Sequence, residues 1–203
     1  MKGNNMCGRY ILYTDKDNQA VKAIVEEVSH QFNLELKKGD IYPSNLAPVF
    51  VSEGDQSKKQ LRLMKWGYPA HFGKQKLLIN ARSETVLEKK TFRQDFLERR
   101  CLIPAVGFYE WNEKKEKFLF SGSDQLIYLG GFYNLHHEAD FIILTKAPVE
   151  SVAAVHDRMP VIIKKSQALT WLSDTDVALG LMTEDPVFLN CRKMSGQEQL
   201  TFI

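Results

Sequence analysis

Three side chains in this 203-residue chain are candidates for covalent and proton-transfer chemistry: Cys7, Glu110 and His156. Cys7 follows Met6 directly. If the working chain begins at Cys7, that residue carries an α-amine and a thiol on neighbouring carbons, and such a 1,2-aminothiol condenses with an aldehyde. With residues 1–6 in place the nitrogen is an amide, and the thiol alone forms only a weak, reversible thiohemiacetal. The plainer role of a free cysteine is that of a small buried apolar group. A charge from Arg9, two residues on, is expected to lower the thiol pKa.

Glu110 stands between Tyr109 and Trp111 in a stretch that alternates as a strand and otherwise reads as buried. It shares a face with Phe108 and Asn112. A carboxyl there either reaches solvent at a strand end, paired with a lysine, or is desolvated and titrates high, which suits general acid–base work near neutral pH. His156 lies in His156-Asp157-Arg158-Met159-Pro160. Histidine is the natural proton carrier in this pH range, and equally an ordinary loop residue with a satisfied hydrogen bond. Together Cys7, Glu110 and His156 are also the residue types of a cysteine hydrolase. No papain-like or caspase-like signature surrounds Cys7, so spacing leaves the reaction open.

Four further positions could serve a ligand. Asn80 reads as the N-cap of a helix. Arg82 in that helix's first turn opposes the dipole, a misfit that points to a ligand. Arg158 faces either a phosphate or a nearby carboxylate. Trp66, with Tyr68 and the loop at Pro43, is either a stacking platform for bases or part of the core.

The elements that must position these groups are mostly short strands. Alternation predicts strands at Arg9–Tyr13, Val49–Val51, Leu61–Trp66, Gly107–Trp111, Phe118–Phe120, Leu126–Phe132, Phe141–Thr145 and Val161–Ile163. Tyr42 to Pro48 contains two prolines and reads as a shaped loop. Thr14 looks like an N-cap with Asp17 three residues on. Val21, Ile24, Val25, Val28 and Phe32 then recur at helical spacing, which predicts a helix over 15–33. A second helix is predicted over 83–100, ending in Arg99 and Arg100, where cations suit the dipole. Ser166 is expected to cap a short third one through Trp171 and Leu172. The tail, 186–203, has turn and strand character. Strands do not alternate regularly with helices. The expected fold is therefore α+β: a bent, mainly antiparallel sheet, partly barrel-like, with two or three helices.

Composition narrows the setting. The hydrophobic share of 44% and charged share of 26% are those of a globular domain with a real core. A net charge of +2 permits an anionic partner without demanding one. Three cysteines with no CxxC pair do not make a disulfide framework or a zinc site, and the five histidines never cluster with them at ligand spacing. No run of 18 apolar residues predicts a transmembrane helix, and the start has no apolar core of a signal peptide.

Seven segments follow one another along the chain: Met6-Cys7-Gly8-Arg9-Tyr10, the Pro43–Pro48 loop, Trp66-Gly67, Asn80-Ala81-Arg82-Ser83-Glu84-Thr85, Arg100-Cys101-Leu102-Ile103-Pro104, Gly107-Phe108-Tyr109-Glu110-Trp111 and His156 to Pro160. In this order they resemble the SRAP (SOS-response-associated peptidase) family, whose members shield abasic sites in DNA. The resemblance spans most of the chain. It implies one SRAP-like domain over 1–203, with residues 1–6 an extension before the nucleophile. It implies that Cys7 links covalently to the ring-opened aldehyde of an abasic site in single-stranded DNA. Asn80, Glu110 and His156 would complete the catalytic set. Arg82 and Arg158 would hold the DNA backbone, with Arg9, Asn45 and Trp66 on the DNA-binding surface. The implied partner is single-stranded DNA containing abasic sites. No cofactor, metal or membrane is expected, and the chain is expected to act as a cytoplasmic monomer. The alternatives are a cysteine peptidase, at least self-processing at Met6–Cys7, and a noncatalytic single-stranded DNA-binding module.

Overall fold

The computed structural model describes residues 7–14, 19–36, 38–52, 58–70, 77–123, 126–135, 139–185 and 188–194. In chain order the elements begin with β1 (Tyr10–Tyr13), α1 (Gln19–Phe32), β2 (Gly39–Ile41), β3 (Leu46–Val51), β4 (Gln60–Trp66), β5 (Tyr68–Pro69), β6 (Leu77–Leu78) and β7 (Asn80–Arg82). They continue with α2 (Lys90–Glu98), β8 (Arg100–Ala105), β9 (Gly107–Trp111), β10 (Lys117–Gly122), β11 (Ile127–Asn134) and β12 (Asp140–Lys146). The last are α3 (Glu150–Ala153), β13 (Met159–Pro160), β14 (Ile162–Ile163), α4 (Ala168–Ser173), α5 (Thr175–Leu181) and β15 (Leu189–Lys193).

Five strands close on themselves. β12 pairs with β4, β4 with β3, β3 with β8, β8 with β11, and β11 returns to β12. Only β12–β4 is parallel in that ring. β7, β13 and β14 attach to it. A second, antiparallel sheet runs β15-β10-β9-β1-β2. The chain passes from β8 in the barrel to β9 in this sheet through the single residue Val106, whose N–H donates to the Ile11 carbonyl. The sharp bend there welds the two sheets around one apolar core. Closing the barrel brings backbones close. A Cβ on Gly131 would run into the Ile142 carbonyl oxygen, which is why a glycine sits in mid-strand.

Several elements differ from the sequence expectation for local reasons. β3 starts at Leu46 and includes Pro48 opposite Leu63, three residues ahead of the expected strand. Pro48 can lie in it because β3 meets β8 only further along, at Phe50 opposite Leu102, so no ladder bond is lost. The helix expected over 83–100 is broken. Ser83–Thr85 forms a single 3-10 turn and α2 starts only at Lys90, because Asn80–Arg82 pairs in parallel with β12 instead of capping a helix. Ser166 sits inside a second 3-10 turn, Lys165–Gln167, and caps nothing. There are five α-helices among the described residues. α3 and α5, of 4 and 7 residues, are too short to carry an apolar period that sequence would reveal. The Asp17 of the expected first cap lies outside the described residues, but Val21, Ile24 and Val28 form the buried face of α1 as their spacing predicts. Val161 falls between two strands. Its N–H bonds Leu144 on one side of the barrel and its carbonyl bonds Gly130 on the other.

Arg100 ties the helices to the barrel. Its buried guanidinium donates to the carbonyls of Phe96 and Leu97 at the end of α2, to Trp171 and Leu172 in α4, and to the Thr175 hydroxyl. One cation thus satisfies orphan carbonyls at the C-terminal ends of two helices.

Candidate active site and nucleic-acid surface

Cys7 enters immediately before β1, on the edge where β1 meets β9. Tyr10 pairs with Phe108, and the Tyr109 N–H donates to the Arg9 carbonyl. Continuing that antiparallel register brings Gly8 opposite Glu110. Two separate elements then reach Cys7, and a third reaches Glu110. Asn80, from β7, donates its amide to the Cys7 carbonyl at 3.1 Å. Glu110, from β9, is fully enclosed, and the Cys7 backbone N–H faces its carboxylate. His156, on the loop after α3, holds Nδ1 at 3.8 Å from Glu110 Oε2.

The electrostatics follow from burial. Glu110 has no lysine partner and neither carboxylate oxygen has a well-formed side-chain hydrogen bond among the described residues. Desolvation pushes its pKa up to about 8; the Cys7 amide pulls the other way and the Asp157 charge adds to the rise. The Cys7 thiol is raised well above its usual range, first by burial and then by the Glu110 charge. This corrects the expectation that Arg9 would activate it. What Arg9 brings to the thiol is its carbonyl, at 4.0 Å, while the guanidinium turns away to Asp40 at 3.3 Å.

The imidazole of His156 is gripped by its own turn. The Arg158 N–H donates to Nδ1 at 3.1 Å, and the Arg158 carbonyl lies 3.1 Å from the same nitrogen. Nδ1 therefore has a partner whether it carries a proton or not. The Arg158 side chain is engaged elsewhere. It makes a bidentate pair with Glu84 at 2.7 and 2.8 Å and donates to the Thr145 carbonyl at 2.6 Å. That pair holds the Glu84 carboxyl down at about 2.

The residues expected on a DNA surface fall into two groups. Arg82 is exposed at the end of β7, with no ion pair among the described residues. Asn45 is exposed too, and its side-chain oxygen accepts from the Tyr42 N–H at 3.0 Å, fixing a loop in which Ser44 has φ of 72°. Arg9 lies between two rings, 4.5 Å from the centroid of Tyr42 and 5.1 Å from that of Trp111. Trp66 does not belong with them. It is fully buried, stacked on Phe141 with centroids 6.3 Å apart, tilted against Tyr10, and its indole N–H donates to the Ile79 carbonyl. Tyr68 is buried as well. The expected stacking platform at these two rings is therefore core. Gly67 beside them turns the chain at φ +110°, a conformation an L side chain rarely adopts.

Comparison with known proteins fits this frame. The family model described as SOS response associated peptidase matches residues 6–194. The chain belongs to the SRAP family. It is 31% identical over 189 residues to the abasic site processing protein YoqW of Bacillus subtilis, covering 83% of this chain and 80% of that one. It is 25% identical to the abasic site processing protein YedK of Escherichia coli over 82% of this chain and 79% of that protein. Among solved structures, a protein from Bacteroides thetaiotaomicron superposes with a TM-score of 0.72 at 18% identity, covering 94% of this chain and 93% of the other. A phage-related protein from Bordetella bronchiseptica gives 0.69 at 23%, covering 93% and 94%. These two establish the SRAP chain's α+β fold alone.

Within this SRAP fold, two features have little trace in the sequence: the aromatic pair flanking Arg9 and the Glu84 clamp on Arg158. Tyr42 reads as loop, although it is 42% exposed. The one signal for Trp111 is its alternation with Glu110, which sends it to the opposite face. No group of three metal-binding side chains occurs among the described residues, and no helix there is long and apolar enough to cross a membrane.

Proposed function

We propose that this SRAP protein senses and shields abasic sites in single-stranded DNA, forming a covalent thiazolidine through Cys7 in a chain that begins at that residue. One observation carries the reading: the Cys7 nitrogen faces a buried carboxyl titrating near 8, while Asn80 holds the Cys7 carbonyl. The names of the relatives, abasic site processing proteins, support the substrate class.

A free α-amine, with a pKa of roughly 7.7–8.0, is partly neutral at physiological pH, and Glu110 takes its proton when it is charged. The amine adds to the aldehyde of the ring-opened sugar. Glu110 then returns a proton to the carbinolamine hydroxyl, which leaves as water to give the iminium, and the Glu110 carboxylate takes back the nitrogen proton to leave the imine. The Cys7 thiol adds across the C=N bond, sulfur to carbon and proton to nitrogen, closing a five-membered ring. Amine and thiol on one residue make that closure intramolecular. His156, 3.8 Å from Glu110, serves the sugar ring oxygen as the ring opens or re-forms. Arg82, Asn45 and the Arg9–Tyr42–Trp111 stack supply phosphate and base contacts.

The contact at Glu110 also suits self-processing. In cleavage of Met6–Cys7 the leaving group is the Cys7 amine, beside a carboxyl able to protonate it. One experiment separates the readings. A chain beginning at Cys7, mixed with single-stranded DNA carrying an abasic site, gives a band that survives denaturing electrophoresis. Cys7→Ala gives none, nor does a chain that stably retains Met6. A band from Cys7→Ala, or none from the Cys7-terminal chain, refutes the covalent mechanism.

A further inference from the structure

Glu84 sits on the 3-10 turn after β7, and no catalytic chemistry calls for it there. Its carboxylate meets the Arg158 guanidinium through two parallel bonds, 2.7 and 2.8 Å long, the geometry that fixes both side chains most rigidly. The guanidinium is fixed at a second point by the Thr145 carbonyl on β12, at 2.6 Å. β12 in turn carries Asn80 on its parallel neighbour, with Ile143 opposite Asn80 and Thr145 opposite Arg82. Arg158 therefore bridges the turn bearing Glu84 to the strand that registers Asn80.

The backbone of the same residue holds the catalytic imidazole. Both the N–H and the carbonyl of Arg158 lie 3.1 Å from His156 Nδ1. A chain of contacts thus runs from Glu84 through the Arg158 side chain to its backbone, on to His156, and across 3.8 Å to Glu110. The His156 backbone N–H is held by the Val152 carbonyl at 3.0 Å, but among the described residues the imidazole itself has no hydrogen-bond partner besides Arg158. Its remaining ionic neighbour is Asp157 at 3.5 Å, whose side chain is 89% exposed.

We propose that Glu84 is a positioning residue for proton transfer: by clamping Arg158 it fixes the His156–Arg158 turn so that the imidazole stays aimed at Glu110. This rests on the reading of Cys7, Glu110 and His156 as the reacting set. It also assigns Arg158 to the site's geometry instead of to the DNA backbone. Its charge is already matched by Glu84, so the phosphate contact falls to the exposed Arg82.

The test uses Glu84→Gln, which keeps shape and one hydrogen bond, and Glu84→Ala, both in the Cys7-terminal chain. In each, the single-turnover crosslinking rate at saturating abasic single-stranded DNA falls roughly tenfold or more, because a displaced proton carrier loses its orientation. The dissociation constant for the same DNA, measured in a Cys7→Ala background, stays within about twofold, since the clamp itself touches no phosphate. In a His156→Ala background the Glu84 substitutions add no further loss. Nitrogen NMR of the imidazole shows a changed His156 tautomer balance in both variants. An unchanged rate, losses that add to those of His156→Ala, or weakened binding with an intact rate overturns the proposal. Should the parent chain form no crosslink at all, it is the covalent mechanism that fails. The imidazole spectra then still decide the clamp: an unmoved His156 signal overturns it.

Discussion

Replacing Glu110 with glutamine keeps the side chain's shape and removes its titration, which makes it the sharpest probe of the site. Burial moves the carboxyl from 4.5 to about 8. At about 1.36 kcal/mol per pH unit, that displacement corresponds to a destabilisation of roughly 2–5 kcal/mol once the group is charged, the lower figure allowing for relaxation around the charge. The sign follows from proton binding. Between about pH 4.5 and 8 the folded chain keeps this proton while the unfolded chain has lost it, so stability falls as pH rises through that window. Below it both states are protonated and Glu110→Gln matches the parent in charge. Above it the variant has gained the full difference. Urea unfolding of both proteins at about pH 5 and pH 8.5 reads the effect. All other titrating groups, including Glu84, are common to the two proteins and drop out of the comparison. The stability advantage of Glu110→Gln is expected to grow by roughly 2–5 kcal/mol between the two pH values, while its crosslinking rate falls by roughly a hundredfold or more. An advantage that does not change with pH refutes the claim that burial holds this carboxyl protonated, and with it the acid–base role.

Two other substitutions separate core from surface. Trp66→Ala should lower stability by roughly 3–5 kcal/mol in urea unfolding, because it empties a fully buried site. Binding of single-stranded DNA by the folded fraction should change little; a loss of affinity without a loss of stability would return Trp66 to the binding surface. Arg82→Ala should weaken DNA binding and flatten the plot of log affinity against log salt by about 0.7 for each phosphate the variant no longer neutralises. A salt slope identical to the parent's would remove Arg82 from the interface.

Much of the architecture is written in local pattern. The apolar spacing of Val21, Ile24 and Val28 dictates α1. The polar turn at Glu113–Glu116 dictates the β9–β10 hairpin, where the Asn112 side chain accepts from the Glu116 N–H at 2.9 Å and Lys115 takes φ of 61°. Alternation also singles out Glu110 as a carboxyl in a buried stretch. These features depend on residues close in sequence, so their physics is complete within a short window.

What lay beyond sequence was set by pairings across the chain. Whether Asn80 caps a helix or joins a strand is decided by β12, more than sixty residues away, and only the strand directs its amide to the Cys7 carbonyl. Trp66 as a core ring and Tyr42 with Trp111 as the rings around Arg9 cannot be told apart by composition. An aromatic's role depends on which face of a closed barrel or open sheet it meets. The thiol of Cys7 illustrates the limit most clearly. Its neighbour Arg9 suggests activation in sequence, but the guanidinium finds Asp40, and burial governs instead. Sequence by itself named the candidate nucleophile and the candidate acid–base residues. Only the fold decided that the Cys7 nitrogen faces the buried carboxyl, because that alignment is set by the register of β1 on β9.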